Sequence, residues 1–282
     1  MTRAVRFVLL AALALATVLT LSACALLRID DGSVFMPRQH PARLAGELDI
    51  AGEDKLPGVV HEALSLSGER IAISRIPSAD PAAPLVVSCF GNASDRRRNG
   101  ADYLAKIAPF GEALVWDYPG YGDSSGAPTS SDIDRVLTEL VPELERRAGE
   151  RPLVFWGHSL GGFVCAQMAS RSSAVDAVVL ETTAPDVKSV AESFKPGWLP
   201  VPLSYDKALL AYDTPRALAE FDGPVLILGA GRDRVLEVAL SRKLAEALPD
   251  ATYLELPEAT HYSAGFDPRA RAAISEMLAT LP

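Results

Sequence analysis

Short apolar runs rich in β-branched residues alternate with amphipathic stretches from about residue 58 to the end of the chain. Residues 85–90 form such a run and are bounded by Pro84 and Gly91, whereas residues 131–147 repeat apolar side chains at helical spacing. This alternation of strand-like and helix-like segments predicts an α/β fold with a mostly parallel central sheet and helices on both faces. The predicted strands cover residues 85–90, 113–117, 152–156, 175–181, 224–229 and 251–256. The predicted helices cover residues 96–108, 131–147 and 268–279, and a further helix ends near residue 171.

Two regions depart from this pattern. Residues 62–67 and 70–74 alternate strictly between apolar and polar positions around Gly68, which predicts an antiparallel hairpin at a sheet edge. Residues 182–222 contain five prolines and no regular apolar pattern, so we expect a short cap above the strand ends. The predicted domain covers residues 58–282, with this cap inside it.

The N-terminus has the layout of an export signal. Arg3 and Arg6 precede the uncharged residues 7–21, and the run Leu-Ser-Ala-Cys that ends at Cys24 places small residues before a cysteine. This run resembles the lipobox of bacterial lipoproteins. The resemblance implies that residues 1–23 are removed and that the Cys24 thiol carries a diacylglyceryl group.

An uncut membrane anchor is the alternative, since residues 7–27 are uncharged and about 20 such residues span a bilayer. In both cases the arginines stay inside and the rest of the chain faces outward. The polar residues 24–57 are predicted to be a tether to the membrane. By resemblance to lipoproteins, the lack of an aspartate after Cys24 slightly favours the outer membrane as the location.

Composition narrows the classes of partner. The chain carries 27 Lys and Arg against 36 Asp and Glu, a formal charge of −9, which excludes nucleic acid as an expected partner because phosphate binding needs a basic face. No zinc spacing, P-loop or dinucleotide-binding glycine pattern occurs, so neither a metal nor a cofactor is implied. Cys89 and Cys165 are predicted to be buried thiols, and a bridge between them stays open if their positions are close.

One short motif carries a specific chemistry. The run from Gly157 to Gly161 reads Gly-His-Ser-Leu-Gly and directly follows a predicted strand and precedes a predicted helix. This is the pattern of a nucleophile elbow, in which Ser159 adopts an unfavourable backbone conformation and side chains at positions 157 and 161 would collide with backbone. His158 is expected to point away from the serine.

A serine hydroxyl needs a base and an acid to act as a nucleophile at neutral pH. His261 and Asp233 each follow a predicted strand, and the order Ser159, Asp233, His261 is nucleophile, acid, base. Glu181 ends another strand and is the competing candidate for the acid, although a salt bridge or a hydrogen bond to the cap is its plainer role.

These residues resemble the serine α/β-hydrolase superfamily over about residues 59–281. The resemblance implies the α/β-hydrolase fold and an oxyanion hole formed by the backbone N–H groups of Leu160 and Asn92, since Phe90-Gly-Asn-Ala resembles the family's His-Gly-x loop. Phe90 stands where the family usually has histidine. The short cap is similar to that of small-lid, membrane-associated serine hydrolases.

The predicted function is hydrolysis of a carboxylic ester or thioester through an acyl-enzyme, with a small-molecule acyl substrate. A peptidase of the same fold and a non-catalytic envelope lipoprotein are the alternatives. The run Arg96 to Arg98 is interpreted as the first turn of a helix capped by Asp95 or Ser94, with anion binding as the competing hypothesis. Five aromatic residues are candidates for a substrate pocket: Trp116, Tyr118, Tyr121, Phe194 and Trp198. Core packing and loop anchoring explain Trp116, Tyr118 and Tyr121 equally well.

Overall fold

In a computed structural model, the structure describes residues 27–38, 48–198 and 201–282, and its centre is an eight-stranded sheet. The strands are β2 (Val60–Leu66), β3 (Glu69–Ile76), β4 (Leu85–Cys89), β5 (Glu112–Trp116), β6 (Leu153–His158), β7 (Val175–Glu181), β9 (Val225–Ala230) and β10 (Thr252–Leu256). Their order across the sheet is β10-β9-β7-β6-β4-β5-β3-β2. Every neighbouring pair is parallel except β2 with β3 and β3 with β5. A separate parallel pair joins β1 (Leu27–Ile29) to β8 (Leu203–Tyr205).

Helices connect these strands and cover the sheet. They are α1 (Asp31–Val34), α2 (Arg96–Ile107), α3 (Ser130–Ala148), α4 (Leu160–Ala169), α5 (Val187–Phe194), α6 (Thr214–Ala217), α7 (Val238–Ala247) and α8 (Pro268–Leu278). Asp95 caps α2 by accepting a hydrogen bond from the Arg98 N–H, as one of the two predicted caps requires. Within the three described segments, no helix is long and apolar enough to cross a bilayer.

The sheet places all the connecting loops of interest at one edge. Strands β4 and β6 are buried along their whole length, which is what coverage on both faces produces in a parallel sheet. Because β4, β6, β7, β9 and β10 run in the same direction, the loops after them emerge together at the carboxyl edge. This edge is where ligands bind in open α/β sheets.

The sequence-based elements are confirmed with shifts of one or two residues at their ends. The hairpin around Gly68 is the outer edge of the sheet, with Val60 paired to Arg75 and Leu66 to Glu69. Helix α7 had not been predicted. The side chain of Glu237, the residue before its first turn, makes no capping hydrogen bond, and the helix buries only Leu240, Ser241 and Leu244. The sequence therefore carries little signal for the start of this helix and only a short apolar stripe.

Within the segment predicted to be a tether, residues 24–57, the described residues 27–38 and 48–57 pack in part against the domain. Leu27 pairs with Leu203 at the start of the β1–β8 ladder, and the buried Phe35 packs edge-on against Tyr212 at a ring-centroid distance of 5.6 Å. Ile50 is also buried. Cys24 and the signal sequence lie outside the described residues. The segment is docked because its few apolar side chains find core partners that no local pattern reveals.

The cap predicted over residues 182–222 contains α5, β8 and α6 rather than irregular chain alone. Its base is fixed to the sheet domain, since Leu209, Tyr212 and Thr214 are buried. The Gln167 side chain of α4 donates to the Ala211 carbonyl oxygen at 2.6 Å. In the outer part of the cap, Phe194 and Trp198 are exposed to solvent.

Candidate active site

The turn between β6 and α4 holds Ser159 in a strained conformation, with φ of 55° and ψ of −120°. This is the predicted backbone geometry, and glycine is required on both sides of it. A Cβ at Gly157 would overlap the Gly161 carbonyl oxygen, and one at Gly161 would overlap the Cys89 carbonyl oxygen. Such strain persists only where the surrounding structure enforces it. Here it lifts the serine to the carboxyl edge.

Asp233 and His261 lie in direct contact in the loops after β9 and β10. Asp233 Oδ2 is 2.7 Å from His261 Nδ1, and Asp233 Oδ1 accepts hydrogen bonds from the Val235 and Leu236 N–H groups at 2.7 and 2.8 Å. A carboxylate accepts only, so Nδ1 carries the proton and Nε2 has a free lone pair. The imidazole is therefore oriented and in the tautomer that a general base needs.

Ser159 and His261 do not form a hydrogen bond within the described structure, but the residue beside Ser159 contacts His261 directly. The His158 imidazole Nε2 is 2.8 Å from the His261 carbonyl oxygen, and the Thr182 hydroxyl donates to the same oxygen at 3.3 Å. Thr183 donates to the Ser159 carbonyl oxygen at 2.8 Å. These bonds hold the backbones of both loops at one place.

Glu181 does not contact the histidine that Asp233 orients. It is fully buried and pairs with Lys106 Nζ at 2.6 Å, while the Trp156 indole N–H and the Gly265 N–H each donate to it at 2.8 Å. Burial alone would raise the pKa of Glu181, but the Lys106 charge and these bonds lower it to about 2. Its role is a salt bridge to α2 and a hydrogen bond to the loop after His261, rather than a bond to the cap.

A chain of buried hydrogen bonds connects three loops beneath the site. Gly91 N–H donates to the Tyr103 hydroxyl at 3.2 Å, and that oxygen lies 2.6 Å from His158 Nδ1. His158 Nε2 faces a carbonyl and must carry the ring proton, so Nδ1 accepts from Tyr103. Burial lowers the pKa of His158 to about 4, which keeps the ring neutral at pH 7. His158 points away from the serine, as expected.

The loop after β4 passes directly beside the serine. A side chain at Gly91 would collide with His158 Nδ1 and lie 3.4 Å from Ser159 Cβ. The main-chain N–H groups of Leu160 and Asn92, the predicted oxyanion donors, have no hydrogen-bond acceptor among the residues described. Ala93, the next residue, has a positive φ of 55°. Both N–H groups therefore remain available to an acceptor outside the described residues, as the predicted oxyanion hole requires.

Comparisons with known proteins give a consistent result. The sequence profile of the α/β hydrolase fold matches residues 85–214. The structure is similar to the Pyrococcus furiosus esterase Pf2001, with a TM-score of 0.63 and 14% identity over 88% of this chain and 98% of the esterase. The chain has the α/β-hydrolase fold. An Agrobacterium vitis putative hydrolase is similar too, with a TM-score of 0.58 and 21% identity over 78% of this chain and 99% of that one.

Sequence relatives include hydrolases with lipase names. The zebrafish (Danio rerio) lysophosphatidylserine lipase ABHD12 is 30% identical over 181 residues, which cover 57% of this chain and 46% of the lipase. An uncharacterised Mycobacterium tuberculosis protein is 27% identical over 81% of this chain and 79% of its own. The chain thus spans less than half the length of the lipase that it matches. Together, these comparisons show the α/β-hydrolase fold.

In this α/β-hydrolase fold, the Asn92 side chain has a role that sequence reasoning missed. Its Nδ2 donates to the Val34 carbonyl oxygen at 2.6 Å, and its Oδ1 accepts from the Met36 N–H at 3.0 Å and the Tyr121 hydroxyl at 3.1 Å. The side chain therefore connects the N-terminal segment to the loop after β4, residues 90–93, which is called the oxyanion loop below. Only the predicted role of the Asn92 main-chain N–H had a signal in the sequence. The partners of its side chain are distant in the chain and leave no local pattern.

The arginines after this loop are structural. Arg96 is buried beside Asp117 and Asp123, and Arg97 pairs with Asp123 at 2.5 Å. Since both guanidinium groups already face carboxylates, the anion-binding hypothesis is left with the exposed Arg98 alone.

The aromatic candidates divide into two groups. Trp116, Tyr118 and Tyr121 are buried, and the Tyr118 hydroxyl donates to the Phe90 carbonyl oxygen at 2.7 Å, so these rings anchor the oxyanion loop. Phe194 and Trp198 are exposed on the cap instead.

Below the elbow, Cys89 and Cys165 are buried free thiols with their Sγ atoms 2.8 Å apart.

The described residues contain no cluster of three His, Cys, Asp or Glu side chains able to hold a metal ion.

A cavity of about 470 Å³ adjoins the site. Its wall includes the oxyanion loop, the buried hydrogen-bond chain and the loop after His261, with contributions from Asn92, Tyr103, Lys106, His158, Tyr262 and Phe266. Aromatic and charged groups both face this space. It offers room for a small organic group beside Asn92 and His158.

Proposed function

We propose that the protein is a serine hydrolase that cleaves a carboxylic ester or thioester through an acyl-enzyme intermediate. The observation that carries this proposal is the hydrogen-bonded Asp233–His261 pair at the same sheet edge as a serine held at a φ of 55°. A structural serine needs neither a strained turn nor an oriented imidazole nearby. Both features suit a nucleophile that must lose its proton during attack.

The reaction follows from the positions of these groups. Ser159 Oγ attacks the carbonyl carbon while its proton passes to His261 Nε2, and Asp233 stabilises the imidazolium that results. The carbonyl electrons move to an oxyanion held by the N–H groups of Leu160 and Asn92. Collapse of this intermediate expels the alcohol or thiol, which takes the proton from His261. Water, activated by the same imidazole, then releases the acid and restores Ser159.

A long-chain acyl ester of a membrane lipid is the substrate class we favour. The curated relative ABHD12 is named a lysophosphatidylserine lipase, and the cavity beside the site combines aromatic walls with polar groups. An ester or thioester asks less of the site than an amide, whose leaving group needs full protonation. A peptidase would instead cleave acyl-peptide substrates faster than esters of similar size.

We also propose that the mature chain is exported and held at the envelope membrane through Cys24. The support is the run of small residues before the cysteine and the uncharged residues 7–21. Wild-type protein in cells fed labelled palmitate is expected to carry the label, and Cys24→Ser is expected to abolish it. Equal labelling of the two proteins would contradict lipidation at this cysteine.

A fluorophosphonate probe tests the nucleophile directly. The wild-type protein is expected to be labelled and Ser159→Ala to remain unlabelled, because the probe bonds only to an activated serine. Ser170→Ala is a matched control, since this exposed serine follows α4 at the end remote from Ser159 and should leave labelling unchanged. p-Nitrophenyl esters of graded chain length then report the depth of the acyl site.

Two results would contradict the proposal. Folded wild-type protein that takes up no probe would favour the non-catalytic lipoprotein, for which the lack of a hydrogen bond between Ser159 and His261 in the described structure is the supporting observation. Probe labelling that persists in Ser159→Ala would place the nucleophile elsewhere.

A further inference from the structure

The exposed apolar side chains of this protein are concentrated on one side. Nine large hydrophobic residues are exposed in the described part of the chain, and six of them lie in the outer part of the cap or in segments bonded to the loops at the carboxyl edge. These six are Met36, Phe194, Trp198, Val235, Tyr262 and Phe266; Leu210, at the base of the cap, is not among them. Trp198 is 81% exposed and Phe194 64%, values unusual for such large rings in a soluble domain.

The hydrogen bonds show why these residues share a side. The Met36 N–H donates to Asn92 in the loop after β4, and the Val235 N–H donates to Asp233 in the loop after β9. Tyr262 follows His261, and the cap residues follow β7. Since these strands are parallel, all these loops emerge at the edge that holds the site.

The entry point of the chain lies on the same side. Leu27 is 47% exposed and pairs with Leu203, which follows the exposed cap segment within a few residues. Cys24 precedes Leu27 by three residues, a reach of about 10 Å when extended. The uncut-anchor alternative ends at residue 27 itself. Under both interpretations of the N-terminus, the chain leaves the lipid beside the cap.

We propose that the carboxyl edge docks on the surface of a phospholipid bilayer, with Trp198 and Phe194 inserted at the level of the headgroups. Aromatic rings are favoured at that depth, and each ring removed from water adds to the binding. With a formal charge of −9, the chain gains nothing from anionic lipid, so zwitterionic phosphatidylcholine is sufficient. Docking brings the cap and the site to the lipid, so an acyl ester reaches Ser159 directly from the bilayer.

Tryptophan fluorescence tests docking without any assumption about activity. Trp116 and Trp156 are fully buried, so Trp198 alone is positioned to meet lipid. The full chain, anchored in phosphatidylcholine vesicles, is expected to lose most of its Trp198 emission when the acyl chains are brominated. Trp198→Phe keeps an apolar ring and should show no such loss. Anchored wild-type protein with unquenched emission would overturn the proposal.

The second measurement concerns turnover and rests on the proposed ester hydrolase. The double variant Phe194→Ser with Trp198→Ser is expected to hydrolyse a vesicle-embedded acyl ester about tenfold more slowly, and a soluble p-nitrophenyl ester at the wild-type rate. Val60→Ser, on the distant edge strand, should change neither rate. Equal loss on both esters would overturn docking. Inactivity of the wild type on both would contradict the hydrolase and leave the quenching result to decide docking.

Discussion

The Asp233→Asn variant is expected to lose about 10⁴-fold in kcat, the size of the effect in a serine protease. Asp233 Oδ1 accepts two main-chain N–H bonds, so the amide NH₂ of asparagine must face His261. The ring proton then moves to Nε2, where the lone pair for the serine proton is needed. The fold is preserved because both N–H bonds remain. Steady-state hydrolysis of p-nitrophenyl butyrate measures the loss.

The matched control is Asp267→Asn, which alters the capping aspartate of α8 and should keep wild-type turnover. A loss of tenfold or less in Asp233→Asn would mean that another acid orients the imidazole. Glu181→Gln would then have to be the severe variant, with turnover compared per mole of folded protein.

The positions of the three proposed catalytic residues could be predicted because they depend on strand direction. Ser159, Asp233 and His261 each follow a strand, and parallel strands bring their loops to one edge whatever the details of packing. The elbow was also predictable, since its glycines answer a local steric need.

Contacts between residues distant in the chain could not be predicted. The Asn92 side chain bonds to Val34 and Met36, and Tyr103 bonds to His158, yet none of these pairs leaves a local pattern. A polar residue in an apolar run indicates that a buried hydrogen-bond partner is needed, but the sequence does not show which residue that partner is. The same reason explains the docked N-terminal segment, whose composition alone resembles a free linker.

The strained backbone also goes beyond what the sequence indicates. Besides Ser159, the non-glycine residues Ala93 and Thr182 have positive φ values of 55° and 46°, and both lie in loops at the carboxyl edge. A β-branched residue such as Thr182 adopts this conformation at a cost of about 1–3 kcal/mol. Its hydroxyl donates to the His261 carbonyl oxygen, so the strain is linked to the position of the base.

The Glu181→Gln variant is expected to unfold more easily by about 3–5 kcal/mol, because it leaves the buried Lys106 ammonium without a counter-charge. Lys106→Met is expected to have a similar effect, since it isolates the carboxylate. The double variant should recover most of this loss, as no buried charge then remains. Urea unfolding of the wild type and the three variants measures the cycle.

Acid provides an independent arm of this test. The pKa of Glu181 is lowered from 4.5 to about 2 in the folded protein, so its contribution is complete above pH 4.5 and is lost as the pH falls towards 2. The double variant should lack this part of the acid dependence. Additive losses in the cycle, or an unchanged acid profile, would contradict a tightly coupled pair.

Substitutions of Asp233 and of Glu181 are therefore expected to have opposite effects on turnover and on stability. Replacing Asp233 removes turnover and leaves the free energy of unfolding nearly unchanged. Replacing Glu181 lowers that free energy and affects turnover through the Gly265 N–H bond, which ties the loop after His261 to the core. A variant of Glu181 that stays folded yet loses turnover as completely as Asp233→Asn would show that this loop, and not only the tautomer of His261, decides the reaction.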